Sequence, residues 1–114
     1  MHELGIVFHI MDSLEAVAKE NGLTSIQSVT IELGEVSTVI ESYLVDCWNW
    51  AVKKRELLHG CRMVVETIPA VSVCEDCGKE YGTVAHGRSC PHCGSEKTYL
   101  LTGSEITIKE IAAC

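Results

Sequence analysis

The chain has 114 residues and a formal net charge of −7, with 46% hydrophobic residues but only 5% aromatic. That length excludes two large domains and leaves room for one compact domain, or a small core joined to a metal-held lobe. The negative charge opposes phosphate backbones, no apolar run approaches the roughly 20 residues of a membrane span, and no leader pattern opens the chain, so a cytoplasmic protein that binds no nucleic acid is expected.

From Leu4 to about Asn21, apolar residues recur at Leu4, Val7, Ile10, Met11, Leu14, Val17 and Ala18, the spacing of an amphipathic helix, and Asn21-Gly22 supplies its stop. "SVTIELGE" then alternates Val29, Ile31 and Leu33 with polar residues, which predicts a strand with one buried face. A second helix is predicted from about Val39 to Leu58, with Ile40, Leu44, Cys47, Trp48 and Ala51 inward and a Thr38/Glu41 capping box at its start. "RMVVETIPA" reads as a strand halted by Pro69, and "SEITIKEIA" as a third strand. These elements predict an α+β fold: a small two-layer domain of two helices on a three-stranded sheet, formed by residues 1–69 plus 104–114. Residues 70–103 are expected to form an inserted, zinc-ribbon-like four-cysteine lobe.

Four of the seven cysteines form "CEDCGKEYGTVAHGRSCPHCG", placing Cys74, Cys77, Cys90 and Cys93 as C-x2-C-x12-C-x2-C with Gly78 and Gly94 after the pairs. Each pair can turn two sulfurs toward one ion, and the glycine lets the backbone fold over it, so the spacing predicts a closed tetrahedral site for structural zinc. A rubredoxin-like iron centre uses similar pairs and is the alternative reading of the spacing. Residues 70–100 carry Lys79, Arg88 and Lys97 against four acids, so no basic stripe supports nucleic-acid binding. His86 and His92 are read as solvated loop residues, with an accessory-ligand role as the alternative.

The opening "MHE" can also hold a metal. The bulk of His2 favours retention of Met1, and the Met1 amine, the His2 amide nitrogen and the His2 imidazole close fused five- and six-membered chelate rings. Ni(II) and Cu(II) favour such tetragonal, nitrogen-rich sets. The first N–H groups of a helix have no intrahelical acceptor, so an amide ligand there breaks no backbone bond. Glu3 offers a carboxylate or its own amide nitrogen, and equally suits the positive end of the helix. His9 is about 10 Å further along a helix, too far to share that ion.

Taken together, "MHELGI", "IELGEVS", "VETIPA" and the cysteine spacing resemble the HypA/HybF family of hydrogenase nickel-incorporation proteins, over essentially the whole length. The resemblance implies a nickel metallochaperone rather than an enzyme. It places Ni(II), which is transferred, on Met1, His2 and Glu3, and structural Zn(II) on Cys74, Cys77, Cys90 and Cys93. It further implies delivery to the large subunit of a [NiFe]-hydrogenase with the GTPase HypB, and in some members work with urease maturation proteins. Some relatives supply an extra acidic ligand where this chain has Ile40 followed by Glu41; Glu41 is assigned to helix capping and left out of the nickel set. Two other functions fit parts of the pattern: a zinc-ribbon adaptor for protein or nucleic acid, and a thiol or iron redox enzyme built on the C-x-x-C pairs.

Overall fold

The computed structural model describes residues 3–114, and its contacts divide into two compact units. One comprises the residues up to Glu32 together with Thr38–Glu66 and Thr107–Cys114; the other comprises Leu33–Ser37 and Thr67–Ile106.

In the first unit, α1 (Glu3–Asn21) buries Val7, Ile10, Met11, Leu14 and Ala18. Leu4 and Val17, expected on the same stripe, are at its edge and stay exposed. The helix ends where Gly22 turns to φ +66° and the Leu23 N–H reaches back to the Ala18 carbonyl at 2.9 Å, satisfying an end carbonyl as a Schellman motif does.

The second helix, α2, is shorter than its hydrophobic pattern, running Glu41–Ala51 with Leu44, Trp48 and Ala51 buried and packing on α1. The predicted capping box does not form: the N-cap is Ile40, half-exposed and without a side-chain cap bond. Instead, the Glu3 carboxylate accepts the Ile40 N–H at 3.3 Å, so a donor of the α2 start is satisfied from α1. Past Ala51 the chain tightens into a 3-10 turn (Val52–Lys54), extends at Arg55, and turns again over Glu56–Leu58. Arg55, in extended conformation beyond that turn, bonds Asp12 at 2.9 Å and Glu15 at 2.8 Å on α1, so the chain departs from the continuous helix that apolar spacing predicts.

Strand β1 (Ile26–Gly34) is central in a sheet with β2 (Arg62–Ile68) on one side and β6 (Ile106–Ala113) on the other. Ser25 and Cys114 exchange backbone bonds at one end of the β1/β6 pair, and the Gly34 N–H meets the Glu105 carbonyl at the other, so these two strands run antiparallel. Val29, Ile31 and Leu33 are buried as their alternation predicts, and Thr30 on the opposite face is buried as well. Lys109 of β6 bonds Glu66 of β2 at 2.9 Å.

The second unit contains a sheet that periodicity did not reveal: β3 (Val71–Cys74) between β4 (Glu80–Gly82) and β5 (Thr98–Thr102), with both pairings antiparallel. A single helical turn, α3 (Thr83–His86), follows β4. Gly103 adopts φ +112°, and a Cβ there would collide with the Ala70 backbone. A Cβ on Gly34 would in turn overlap the Gly103 carbonyl, so this crossing of chains requires glycine at both positions.

Candidate metal centres

The two cysteine pairs sit in equivalent turns. In the first, Gly78 turns to φ +73° and donates to the Cys74 carbonyl at 2.8 Å, while the Cys74 N–H meets the Lys79 carbonyl at 3.0 Å. In the second, Gly94 turns to φ +77° and donates to the Cys90 carbonyl at 2.8 Å, and the Cys90 N–H meets the Ser95 carbonyl at 2.9 Å. The left-handed glycine lets each turn curl back so that both of its sulfurs point one way.

These turns bring Cys74, Cys77, Cys90 and Cys93 together, all four sulfurs within 4.8 Å of one another. Cys74 and Cys93 are 3.5 Å apart and Cys77 and Cys90 3.6 Å. These separations are far from the ~2.05 Å of a disulfide and close to the ~3.8 Å edge of a tetrahedron of sulfurs bound at ~2.3 Å to one ion. The donor set is therefore suited to a structural zinc ion.

Cys74 and Cys90 are buried against Tyr81, whose hydroxyl donates to the Gly87 carbonyl at 2.8 Å. Composition alone treats Tyr81 as one of few aromatics; the E-Y-G alternation of β4 between the two pairs is the signal that it faces inward. The turns are further joined by Ser95, whose hydroxyl donates to Asp76 and accepts from the Lys97 N–H at 3.1 Å. Neither histidine joins the sulfurs: the His92 ring nitrogen lies 3.4 Å from the Glu80 carbonyl, and His86 meets the edge of Tyr81. The contribution of His92 is its backbone N–H, 3.4 Å from the Cys90 sulfur.

The thiols do not ionise alike. Burial opposes ionisation of Cys90, but the N–H groups of Cys93 and His92 and the neighbouring thiols outweigh it and bring it down to about 6. At Cys93 the Ser95 N–H favours the thiolate, yet the facing sulfurs, Cys74 foremost, push it up to about 12. Cys77 is also raised: burial and the Cys90 and Cys74 thiols overcome the favourable Lys79 N–H. Four crowded sulfurs cannot all carry charge on their own, and a dication that replaces their protons removes the conflict.

Of the expected nickel set, Met1 and His2 lie outside the described residues. Glu3 begins α1 with its carboxylate on the Ile40 N–H. Glu41 opens α2 and makes no cap bond, and His9 is on α1, six residues beyond Glu3. Among the described residues the four cysteines form the only group of three or more His, Cys, Asp or Glu side chains placed to hold a metal ion, and no helix is long and apolar enough to cross a membrane.

Residues 1–113 match the family model described as hydrogenase/urease nickel incorporation, metallochaperone, hypA. A hydrogenase maturation factor HybF of Klebsiella pneumoniae is 32% identical over 111 residues, covering 97% of either chain. A hydrogenase maturation factor HypA of Geobacter metallireducens is equally similar, at 32% over 111 residues and 97% of either chain. Among solved structures, that of the Ni metallochaperone HypA from Helicobacter pylori superposes with a TM-score of 0.76 at 20% identity, over 99% of this chain and 97% of that one, which supports the same fold.

Proposed function

We propose that this chain, which belongs to the HypA family of hydrogenase/urease nickel-incorporation metallochaperones, binds Ni(II) through Met1, His2 and Glu3 and passes it on for maturation of a [NiFe]-hydrogenase or a urease. The observation that carries this reading is the match of residues 1–113 to that family, in a chain whose first residues offer an amine, an amide nitrogen and an imidazole in chelating order. In this reading the nickel domain is residues 1–69 plus 104–114, and residues 70–103 form a lobe held by zinc on Cys74, Cys77, Cys90 and Cys93. The GTPase HypB and the hydrogenase large subunit are the proposed partners, in the cytoplasm, and the chain catalyses no reaction of its own.

Nickel is cargo, so the site must release as well as bind. A chelate at a chain end leaves one side open to an incoming ligand, and exchange can proceed one donor at a time without opening a core. Binding requires the amine, amide and imidazole to lose protons, so affinity rises with pH. The Glu3 carboxylate is already held by the Ile40 N–H.

The test is a nickel titration of tag-free protein, with zinc measured in the same samples. One nickel is expected beyond the zinc. His2→Ala, or one residue added before Met1, is expected to weaken nickel binding by at least about tenfold; unchanged affinity in both would overturn the site as drawn.

A further inference from the structure

Charge is unevenly distributed along this acidic chain. Residues 49–62 carry Lys53, Lys54, Arg55 and Arg62 against the single acid Glu56, a net +3 that leaves −10 elsewhere. Arg55 is taken up by Asp12 and Glu15, and Lys54 lies 4.4 Å above the Trp50 ring. Lys53 and Arg62 make no ion pair among the described residues.

Both line a cleft of about 440 Å³ between the end of α2 and the start of β2. Asn49 and His59 complete its polar rim, and no carboxylate lines it. Val52 and Cys61 close it from below and are themselves buried, and the Cys61 carbonyl is fixed from behind by the Trp48 indole N–H at 3.0 Å. A lysine just past a helix is ordinarily accounted for by the helix C-terminus. Arg62 opens a strand, and that explanation does not reach it.

We infer that this cleft is a docking site for an acidic peptide segment of a partner protein, one that places carboxylates on Lys53 and Arg62 and the side chain between them in the cleft. The volume falls within the range of about 300–1,000 Å³ typical of ligand clefts, which a lone inorganic anion underfills. The guanidinium suits a carboxylate in bidentate geometry, and the lysine supplies a second point charge. The net −10 of the rest of the chain disfavours an acidic partner on average, so it biases that partner toward this face.

The experiment uses the full zinc-loaded chain and a capped pentapeptide of leucine flanked on each side by two glutamates, followed by calorimetry and amide shifts in low salt. Binding is expected to move the Gly60, Cys61 and Arg62 amides and to weaken as salt is added. Lys53→Gln with Arg62→Gln should weaken it about tenfold or more, while Lys79→Gln with Lys97→Gln changes nothing. Both residues of the first pair are exposed, so folding is expected to survive, and an unchanged nickel titration of that variant separates this site from the N-terminal one. The inference fails if the glutamine version of the peptide binds equally, if the Lys53/Arg62 variant binds like wild type, or if inorganic phosphate at the peptide's concentration displaces it.

Discussion

The indole N–H of Trp48 donates to the carbonyl of Cys61 at 3.0 Å, inside the core and across the whole turn that follows α2. Trp48 is fully buried, so this bond fixes where the chain re-enters the sheet at β2. Trp48→Phe keeps an aromatic ring but leaves the buried carbonyl unpaired and a small void beside it. A loss of about 2–3 kcal/mol is expected, read from urea unfolding followed by circular dichroism.

The crossing of Gly34 and Gly103 predicts a second sensitive point. Gly103→Ala forces a Cβ into Ala70 at φ +112°. The expected cost is about 3 kcal/mol or more, combining steric overlap with a left-handed backbone. Alanine at Gly60, which also has positive φ but open space for a Cβ, carries the backbone penalty alone and should cost about 1 kcal/mol.

Cys61 supplies a pH dependence with a definite sign. Burial pushes its thiol up to about 11 from the ordinary value of 9.0. Below about pH 8 the thiol is neutral whether folded or unfolded, and its contribution to stability is constant. As pH climbs from near 9 toward about 11 the unfolded thiol ionises first, so this contribution falls. Cys61→Ala should flatten that part of the stability profile. At pH 8, iodoacetamide should modify the exposed Cys114 while sparing Cys61.

Zinc retention should depend on every sulfur of the cluster. Cys77→Ser is expected to lower zinc content well below one per chain, with loss of dispersed amide signals from β3, β4 and β5. Acidification should release zinc as the thiolates take up protons. An analysis showing one zinc per chain in the Cys77→Ser protein would remove that residue from the set.

Glu3 offers a way to separate two jobs. Glu3→Gln retains an oxygen for the Ile40 N–H but removes the negative charge, whereas Glu3→Ala removes both. If nickel is held by the amide nitrogen of this residue, the Gln variant should bind nickel within about threefold of wild type. A much larger loss in the Gln variant would make the carboxylate a ligand. The Ala variant should also lose about 1 kcal/mol of stability, because an α2 donor is left without its acceptor.

What was legible in the sequence follows from what each signal measures. The period of Val7, Met11 and Leu14 and the alternation of Val29, Ile31 and Leu33 report burial within one element, and both held. The cysteine spacing reports a local turn and anticipated the clustering of four sulfurs. Apolar spacing does not report the end of α2: the helix gives way to a 3-10 turn at Val52, and Arg55 beyond it bonds Asp12 and Glu15, forty residues or more away in sequence and outside any local window. The capping box is absent because the helix begins at Glu41, which leaves Thr38 two residues before the N-cap; Glu3 meets the Ile40 N–H instead. The small sheet around Cys74 stayed hidden because its strands are three to five residues long, too short for a period to register.

The likeness of the two cysteine turns bears on how the lobe is assembled. Each turn closes with its own glycine and its own pair of backbone bonds, using residues within six positions of one another. The four ligands are thus organised as two claws, each closed by local bonds, and not as four independent thiols. Capture by either claw tethers the other through the twelve-residue span between Cys77 and Cys90, so the second closure is an intramolecular event at high local concentration. Loading should proceed in two kinetic phases, and only the first should depend on protein concentration.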